Sequence, residues 1–366
     1  MKPNYKYLLL AALSFFALSL LSYLLGWSHS TGPLLIIALL LISAGLRGYD
    51  FYKGFSFTFL ILASVTAALF YPTAFAKWGD FELKNLIVPL LQIIMFGMGT
   101  AMSLQDFAGV IRMPKAVGIG LLCQFSIMPV VGFTLASIFG FPPEIAAGIV
   151  LVGASPSGLA SNVMSYLAKA NLALSVTLTA CATLLAPFMT PLLMQYLAGQ
   201  FVPIDFWAMM LSIIKIVILP IIGGLLFNYF FHGKASWLDR AMPLVSMAGI
   251  AFIITIITAA GRDGLLSIGL TLVVVGIVHN ALGYVLGYWA CRMFRMPERD
   301  CRTIALEVGM QNAGLASGIA VEMGKVATVG LAPAIFGPWM NISGSSLATY
   351  WRDKTQEHTK QTASIN

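Results

Sequence analysis

Long apolar runs alternate along the chain with short breaks that contain charged residues, Gly or Pro. Most of these runs are about 20 residues long, which is the length of helix that crosses the hydrocarbon core of a bilayer. They predict twelve membrane-spanning helices, two near the N-terminus and ten in a longer block. The predicted spans are 7–27, 32–46, 55–76, 85–104, 115–139, 143–169, 171–198, 204–230, 239–260, 264–293, 300–322 and 326–351.

The composition excludes a soluble globule. Of the 366 residues, 59% are hydrophobic and only 10% are charged, whereas ordinary soluble domains carry about 25% charged residues. So few charges cannot cover this much apolar side chain in water. The predicted fold class is therefore an all-α polytopic membrane protein. The four cysteines are scattered without a CxxC pair, which favours reduced thiols over a disulfide framework or a zinc site.

The basic residues follow the predicted topology, with both termini in the cytoplasm. Sixteen of the 21 Lys and Arg fall on the cytoplasmic side, Lys215 lies inside a span, and four lie outside: Lys77, Lys84, Arg262 and Lys325. This asymmetry is the positive-inside pattern, so it explains the net charge of +7 without a nucleic-acid partner. The first span has no small-residue cleavage site after it, and we expect it to be retained. Residues 353–366 form a polar cytoplasmic tail that we expect to be disordered.

The quartet Gly-Leu-Ala-Ser occurs twice, at 158–161 and at 314–317. Each copy lies in the fourth helix of a five-helix half, and the halves comprise 55–198 and 204–352. Because five is an odd number, the second half must enter the membrane inverted, as in secondary transporters. Gly and Pro at these places predict two broken helices. Tight packing through small residues is the alternative, but it does not explain the polar residues beside the quartets.

Glu307 is the one acidic residue placed inside a span away from its ends. A buried carboxylate without a basic partner needs a cation or a proton, and the residues alone leave Na⁺ and H⁺ both open. Oxygen ligands for a hard cation are available on neighbouring spans. The candidates are Gln124, Ser161, Asn162, Ser175, Thr179 and Gln311. For Gln124, Ser175 or Thr179 taken singly, an ordinary interhelical hydrogen bond is the alternative. Two Na⁺ beside one carboxylate would leave about one positive charge, which favours an anionic cargo.

Four motifs together resemble the bile acid:sodium symporter family over approximately residues 55 to 352. They are Phe96-Gly97-Met98-Gly99 with Asp106-Phe107, Ala160-Ser161-Asn162-Val163-Met164 followed by 171–179, 307–312, and Asn341-Ile342-Ser343-Gly344. The resemblance implies a ten-helix core of two inverted five-helix repeats, in which two crossed broken helices hold two Na⁺. We also expect the protein to lie in the bacterial inner membrane. The two additional N-terminal helices, within residues 1–54, lie outside the ten-helix core.

Carried over to this sequence, the resemblance implies two Na⁺ sites and a substrate face. The first site comprises Ser161, Asn162, Ser175, Thr179 and Glu307. The second comprises Gln124, Gln311, the Glu307 side chain and the carbonyls of Val308 and Met310. Asn312 and Asn341 face the substrate. Bacterial members commonly read Cys-Pro-Gly-Gly-Thr-Ala-Ser-Asn before the crossing, whereas this chain reads Ser-Pro-Ser-Gly-Leu-Ala-Ser-Asn, so Leu159 replaces a polar Thr at the substrate face. Bile acid, pyruvate, pantoate and similar monoanions all remain open as cargo.

Two further polar positions lie inside predicted spans. Lys215 is too deep for its side chain to reach either surface easily, so we expect it to face an aqueous cavity, where it either attracts the substrate anion or is a mobile, water-facing residue. His279 and Asn280 fit a hydrogen-bonded packing pair better than a substrate contact or a proton carrier. Because no catalytic motif matches, we predict a transporter, not an enzyme, that couples inward Na⁺ movement to uptake of a small organic anion. The alternative is proton-coupled transport on the same fold.

Overall fold

The computed structural model describes residues 3–49, 52, 55–103, 106, 109–231 and 236–363. Within these residues the chain forms sixteen α-helices. They are α1 Pro3–Leu24, α2 Ser28–Leu46, α3 Phe55–Phe70, α4 Ile87–Thr100, α5 Gly109–Arg112, α6 Pro114–Ile138, α7 Pro143–Ala154, α8 Leu159–Leu167, α9 Leu172–Leu193, α10 Phe206–Ile213, α11 Leu219–Phe231, α12 Ser236–Ala260, α13 Arg262–Met293, α14 Glu298–Gly309, α15 Ala313–Glu322 and α16 Leu331–Ala363. A hairpin of two short strands, β1 Lys77–Trp78 and β2 Phe81–Glu82, precedes α4.

The all-α membrane fold is confirmed. Among the described residues, seven helical stretches are long and apolar enough to cross a bilayer, and there are also shorter apolar helices. Many large apolar side chains are exposed on the outer faces of these helices, as a lipid-facing surface requires. The number of crossings and the inverted repeat stay predictions. Two short π-helical turns, Met194–Ala198 and Ile214–Ile218, were not predicted; the second precedes Pro220, which cannot donate to a helical carbonyl.

The predicted span 143–169 is interrupted between α7 and α8. Ser155 precedes Pro156 and adopts an extended conformation, φ −76° and ψ 152°, because the proline ring disfavours helical geometry in the preceding residue. Gly158 is also extended, and α8 begins at the next residue. Four residues, 155–158, therefore separate the two half-helices.

The predicted span 300–322 is interrupted between α14 and α15. Met310 leaves the helix with φ −107° and ψ 84°. Asn312 restarts it as an N-cap, because its side-chain oxygen accepts a hydrogen bond from the Leu315 backbone N–H at 3.0 Å. The second interruption thus contains no proline and depends on an asparagine cap.

The two interruptions pair with each other through their backbones. Ser157 and Gln311 form an antiparallel bridge. The Gly158 N–H donates to the Met310 carbonyl at 3.0 Å, and the Asn312 N–H donates to the Pro156 carbonyl at 2.8 Å. We refer to residues 155–158 and 310–312 as the crossing.

Side chains satisfy further carbonyls at the ends of the half-helices. Thr190 donates to the Ala154 carbonyl, Gln124 to that of Ser155, and Asn280 to that of Gly309, at 2.8, 3.0 and 2.8 Å. An unpaired backbone carbonyl or N–H at membrane depth costs free energy, so these hydrogen bonds allow the two interruptions to remain non-helical inside the protein.

The two N-terminal helices pack on each other, and α2 packs on α3. Ser43 of α2 and Ser56 of α3 exchange hydrogen bonds with each other's backbone carbonyls at 2.7 Å, and Arg47 Nε donates to Ser56 Oγ at 3.1 Å. α3 lines the central cavity described below, so the hairpin of α1 and α2 supports one wall of that cavity from outside.

The expectation of a disordered tail is wrong for residues 353–363. α16 continues through them to Ala363, and no Gly or Pro in this stretch ends a helix. Residues 364–366 lie outside the described part of the chain.

Candidate functional site

Glu307 lies at the centre of a cluster of hydroxyl groups, in the last turn of α14. Its side chain is buried, with 2% exposed. Ser161 and Ser175 donate to Oε1 at 2.7 and 2.5 Å, while Ser157 and Thr179 donate to Oε2 at 2.6 and 2.9 Å. Asn162 completes the cluster, because its Oδ1 accepts from Ser175 at 2.8 Å and from Thr179 at 3.0 Å. The structure thus brings together all five residues predicted for the first site.

The cluster has more oxygen–oxygen contacts than hydrogens to fill them. With Ser161 also 2.7 Å from the Gly158 carbonyl and Ser157 3.5 Å from Thr179, eight such contacts share four hydroxyl hydrogens. A hydroxyl donates one hydrogen at a time, and an ionised carboxylate donates none. The surplus acceptor oxygens around the buried carboxyl group suit a bound cation, and ligands that are all oxygen suit a hard one.

The residues predicted for the second site form an adjoining chain of amides. Gln124 donates to Gln311 Oε1 at 2.7 Å, and Gln311 Nε2 donates to the Val308 carbonyl at 2.5 Å. The Oε1 atom of Gln124 is buried without a hydrogen-bond partner, so it offers a free lone pair. The Met310 carbonyl accepts the Gly158 N–H in the crossing. The described hydrogen bonds of Glu307 itself reach only the first cluster, not these amides.

A cavity of about 300 Å³ adjoins the crossing. Its walls come from α3, α4, α8, α12, α15 and α16, and none of the described residues that line it is charged. Six of them are methionines: Met95, Met98, Met164, Met247, Met310 and Met340. Methionine is flexible and polarizable, so such walls adapt to apolar bodies of different shape.

Three of the four predicted substrate contacts line this cavity: Leu159, Asn312 and Asn341. Asn341 Nδ2 donates to the Gly337 carbonyl at 3.1 Å. The structure does not bring Lys215 to the cavity. Its side chain is exposed in the π-helical turn before α11, and its carbonyl accepts from Gln92 Nε2 at 3.3 Å. The geometry therefore gives no support to a substrate contact by Lys215.

The N-termini of α8 and α15 both border the cavity. α8 begins after Gly158, without a side-chain cap, and α15 begins after Asn312. The first turn of each half-helix contributes to the lining, through residues 158–160 and 312–314. Helix N-termini carry partial positive charge, so this wall of the cavity is suited to a negative group.

His279 and Asn280 lie beside the crossing, outside the cavity lining. Asn280 Nδ2 donates to the Gly309 carbonyl at 2.8 Å, and Ser343 donates to Asn280 Oδ1 at 2.5 Å. His279 is fully buried, and its ring is 5.3 Å from that of Phe336. Asn280 fits the predicted packing role through its hydrogen bonds, and His279 packs against the Phe336 ring.

The sodium bile acid symporter family model matches residues 88–268. The sequence is 39% identical over 322 residues to the "uncharacterized sodium-dependent transporter YocS" of Bacillus subtilis (strain 168), covering 88% of this chain and 98% of that protein. The chain belongs to the sodium bile acid symporter family.

Other family members are related at lower identity. The "probable sodium/metabolite cotransporter BASS1, chloroplastic" of Arabidopsis thaliana is 34% identical over 268 residues, 73% of this chain and 67% of that protein. The "ileal sodium/bile acid cotransporter" of Oryctolagus cuniculus is 34% identical over 247 residues, 65% of this chain and 69% of that protein. The family consists of sodium-coupled transporters, so the prediction that the chain is a transporter and not an enzyme is confirmed.

Sequence reasoning missed Ser157 as a member of the hydroxyl cluster. The bacterial family pattern commonly has Gly at this place, so the resemblance assigned it no role. A signal was present, because Ser157 lies inside the predicted break, where a side chain is free of helical geometry. The methionine walls were also missed.

Proposed function

We propose that the chain is a secondary active transporter that couples inward movement of Na⁺ to uptake of a small organic monoanion across the bacterial inner membrane, with both termini in the cytoplasm. The observation that carries the proposal is the buried Glu307 carboxylate with its four hydroxyl neighbours. Ser161, Asn162, Ser175, Thr179 and Glu307 would hold one Na⁺. Gln124, Gln311, Glu307 and the carbonyls of Val308 and Met310 would hold a second.

The uncharged lining of the cavity gives a physical reason for coupling. A monoanion that enters it meets no described cationic side chain, and an unpaired charge in an apolar site is expensive. The N-termini of α8 and α15 supply part of the compensation. Na⁺ bound at the Glu307 sites would supply the remaining compensation of the cargo's negative charge. Cargo binding is therefore expected to be weak until the ion sites are filled, and the loaded protein changes its facing direction.

The apolar, methionine-rich walls favour a monoanion with an apolar body over a densely hydroxylated one. The carboxylate of such a cargo would lie near Asn312 and the two helix N-termini, and its body near Leu159 and the methionines. Bile acids, pyruvate and pantoate are the monoanions to compare first, because they differ in the apolar area that they present.

The test is mutual stimulation in proteoliposomes. An inward Na⁺ gradient should drive accumulation of one radiolabelled monoanion from this set, and that monoanion should stimulate ²²Na⁺ uptake. If ²²Na⁺ uptake is independent of every monoanion tried, the coupling proposal fails for this set. Accumulation driven by a pH gradient without Na⁺ would instead favour the proton-coupled alternative, in which Glu307 carries the proton.

A further inference from the structure

Ser157 is the fourth hydroxyl around Glu307. Its side chain is buried, with 1% exposed. Its Oγ lies 2.6 Å from Glu307 Oε2 and 3.5 Å from Thr179 Oγ1. With Ser157 in place, each carboxylate oxygen has two hydroxyl neighbours; without it, Oε2 would keep only Thr179.

The position of Ser157 differs from that of the other three hydroxyls. Ser161, Ser175 and Thr179 project from regular helices, α8 and α9, whereas Ser157 belongs to the crossing. Its backbone is bridged to Gln311, and the next residue, Gly158, lines the cavity. Ser157 thus touches the carboxylate through its side chain, while its chain neighbour borders the cargo space.

A hydroxyl that acts as a cation ligand must turn its hydrogen away from the cation. The other hydroxyls have alternative acceptors for that hydrogen, namely the Gly158 carbonyl for Ser161 and Asn162 Oδ1 for Ser175 and Thr179. Ser157 has Thr179 Oγ1 as its alternative acceptor. Each of the four hydroxyls therefore has an acceptor other than Glu307 for its hydrogen, which leaves a lone pair on its own oxygen for a cation.

We propose that Ser157 is an additional ligand of the Na⁺ held by Glu307, and that its place in the crossing links this ion to the cargo cavity. The inference rests on the proposed function. It adds a sixth residue to the first site at a position where bacterial family members commonly have Gly, so this chain would bind Na⁺ more tightly than its Ser157→Gly variant.

The experiment measures ²²Na⁺ binding to the purified full-length protein by scintillation proximity, without cargo. Ser157→Gly and Ser157→Ala should each weaken Na⁺ binding by about tenfold, because each removes one oxygen from a buried charged site. The Ser157→Gly variant is expected to fold, because bacterial family members commonly have Gly at this position. The matched control is Ser165→Ala, because Ser165 is a buried serine of α8 whose hydroxyl has no hydrogen-bond partner; it should bind Na⁺ as the wild type does.

A second readout separates a ligand from a merely structural residue. Competition of ²²Na⁺ by Li⁺ should change in both Ser157 variants, because a lost ligand alters the fit to ion size, whereas a packing defect would lower the melting temperature and leave the Li⁺ to Na⁺ ratio unchanged. Binding within twofold of the wild type in both variants, with binding lost in Glu307→Gln, would overturn the role of Ser157 alone. A wild-type protein that binds no ²²Na⁺ would overturn the proposed function as well.

Discussion

The hydroxyl cluster and the cavity both adjoin the crossing, yet their chemistry is opposite. The cluster is a dense set of polar oxygens around one buried charge. The cavity is an open space of about 300 Å³ with methionine-rich, uncharged walls. The residues of the crossing belong to both, because Ser157 faces the cluster while Gly158 and Asn312 line the cavity.

This contrast indicates that ion binding and cargo binding depend on different residues. The cluster can recognise an ion by ligand number and spacing, which requires fixed oxygens. The cavity can accept an organic body by apolar contact, which tolerates variation in shape. Replacing residues in the hydroxyl cluster should therefore change ion affinity, and replacing residues in the cavity should change cargo affinity. The following predictions test that separation.

The largest effect is expected for Glu307→Gln. The amide keeps the size of the side chain but removes its charge, so the affinity for Na⁺ should fall on the order of 100-fold. Stabilisation by Na⁺, measured as the rise in melting temperature of the purified protein, should disappear. Glu322→Gln is the matched control, because that carboxylate accepts from Ser212 at 3.0 Å away from the cluster. Full Na⁺ stabilisation of the Glu307 variant would contradict the ion assignment.

An intermediate effect is expected for Asn312→Ser on the cavity side. Serine can still cap α15, so the fold should be kept, but the amide group that faces the cavity is lost. We expect cargo affinity at saturating Na⁺ to fall about tenfold, and ²²Na⁺ binding without cargo to stay unchanged. Asn171→Ser is the control, because Asn171 caps α9 in the same way outside the cavity lining. Equal losses of ion and cargo binding would contradict the assignment of the two functions to different residues.

The hydroxyl cluster and the cavity also differ in how far the sequence predicted them. Glu307 and the oxygen-bearing residues beside it could be singled out because a carboxylate inside an apolar span needs a cation or a proton. Their assignment as Na⁺ ligands stays a prediction. The cavity walls could not, because α3, α4 and α12 are apolar on nearly every face, so no periodicity shows which side chains turn inward. The direction of the Lys215 side chain could not be predicted either, since depth along a helix does not determine which way a side chain faces. The helical tail beyond Asp353 was missed because polar composition was taken as disorder.

A smaller effect, on selectivity, is expected for Leu159→Thr. The change exchanges an apolar wall residue for the threonine that bacterial family members commonly carry there. Uptake should shift by about fivefold toward the more polar of two competing monoanions, because apolar contact area is lost. Competition between pyruvate and a bile acid in proteoliposomes measures this shift. An unchanged preference would show that Leu159 does not contact the cargo.

The smallest effect is expected at the Glu144–Lys325 ion pair, far from both sites. Lys325 Nζ donates a hydrogen bond to Glu144 Oε1, and the two side chains form an ion pair. The pair requires an ionised carboxylate, so its contribution to the free energy of unfolding is lost at low pH, where the carboxylate is protonated. Because the pair is partly exposed, it contributes at most about 1 kcal/mol.

Glu144→Gln should therefore lower the melting temperature slightly at pH 7 and have less effect near pH 3. Na⁺ affinity at pH 7 should match that of the wild type. A drop in Na⁺ affinity at pH 7 would show that the pair influences the ion site.

The backbone pairing of the two interruptions also bears on biosynthesis. Pro156 and Gly158 emerge from the ribosome long before Met310 and Asn312, with which they share hydrogen bonds. Until residues 310–312 have been synthesised, the Pro156 carbonyl and the Gly158 N–H lack these hydrogen-bond partners at membrane depth. The amino-terminal half alone is thus an incomplete folding unit, and a truncated chain ending before α14 should be a substrate for membrane proteases rather than a stable half-transporter.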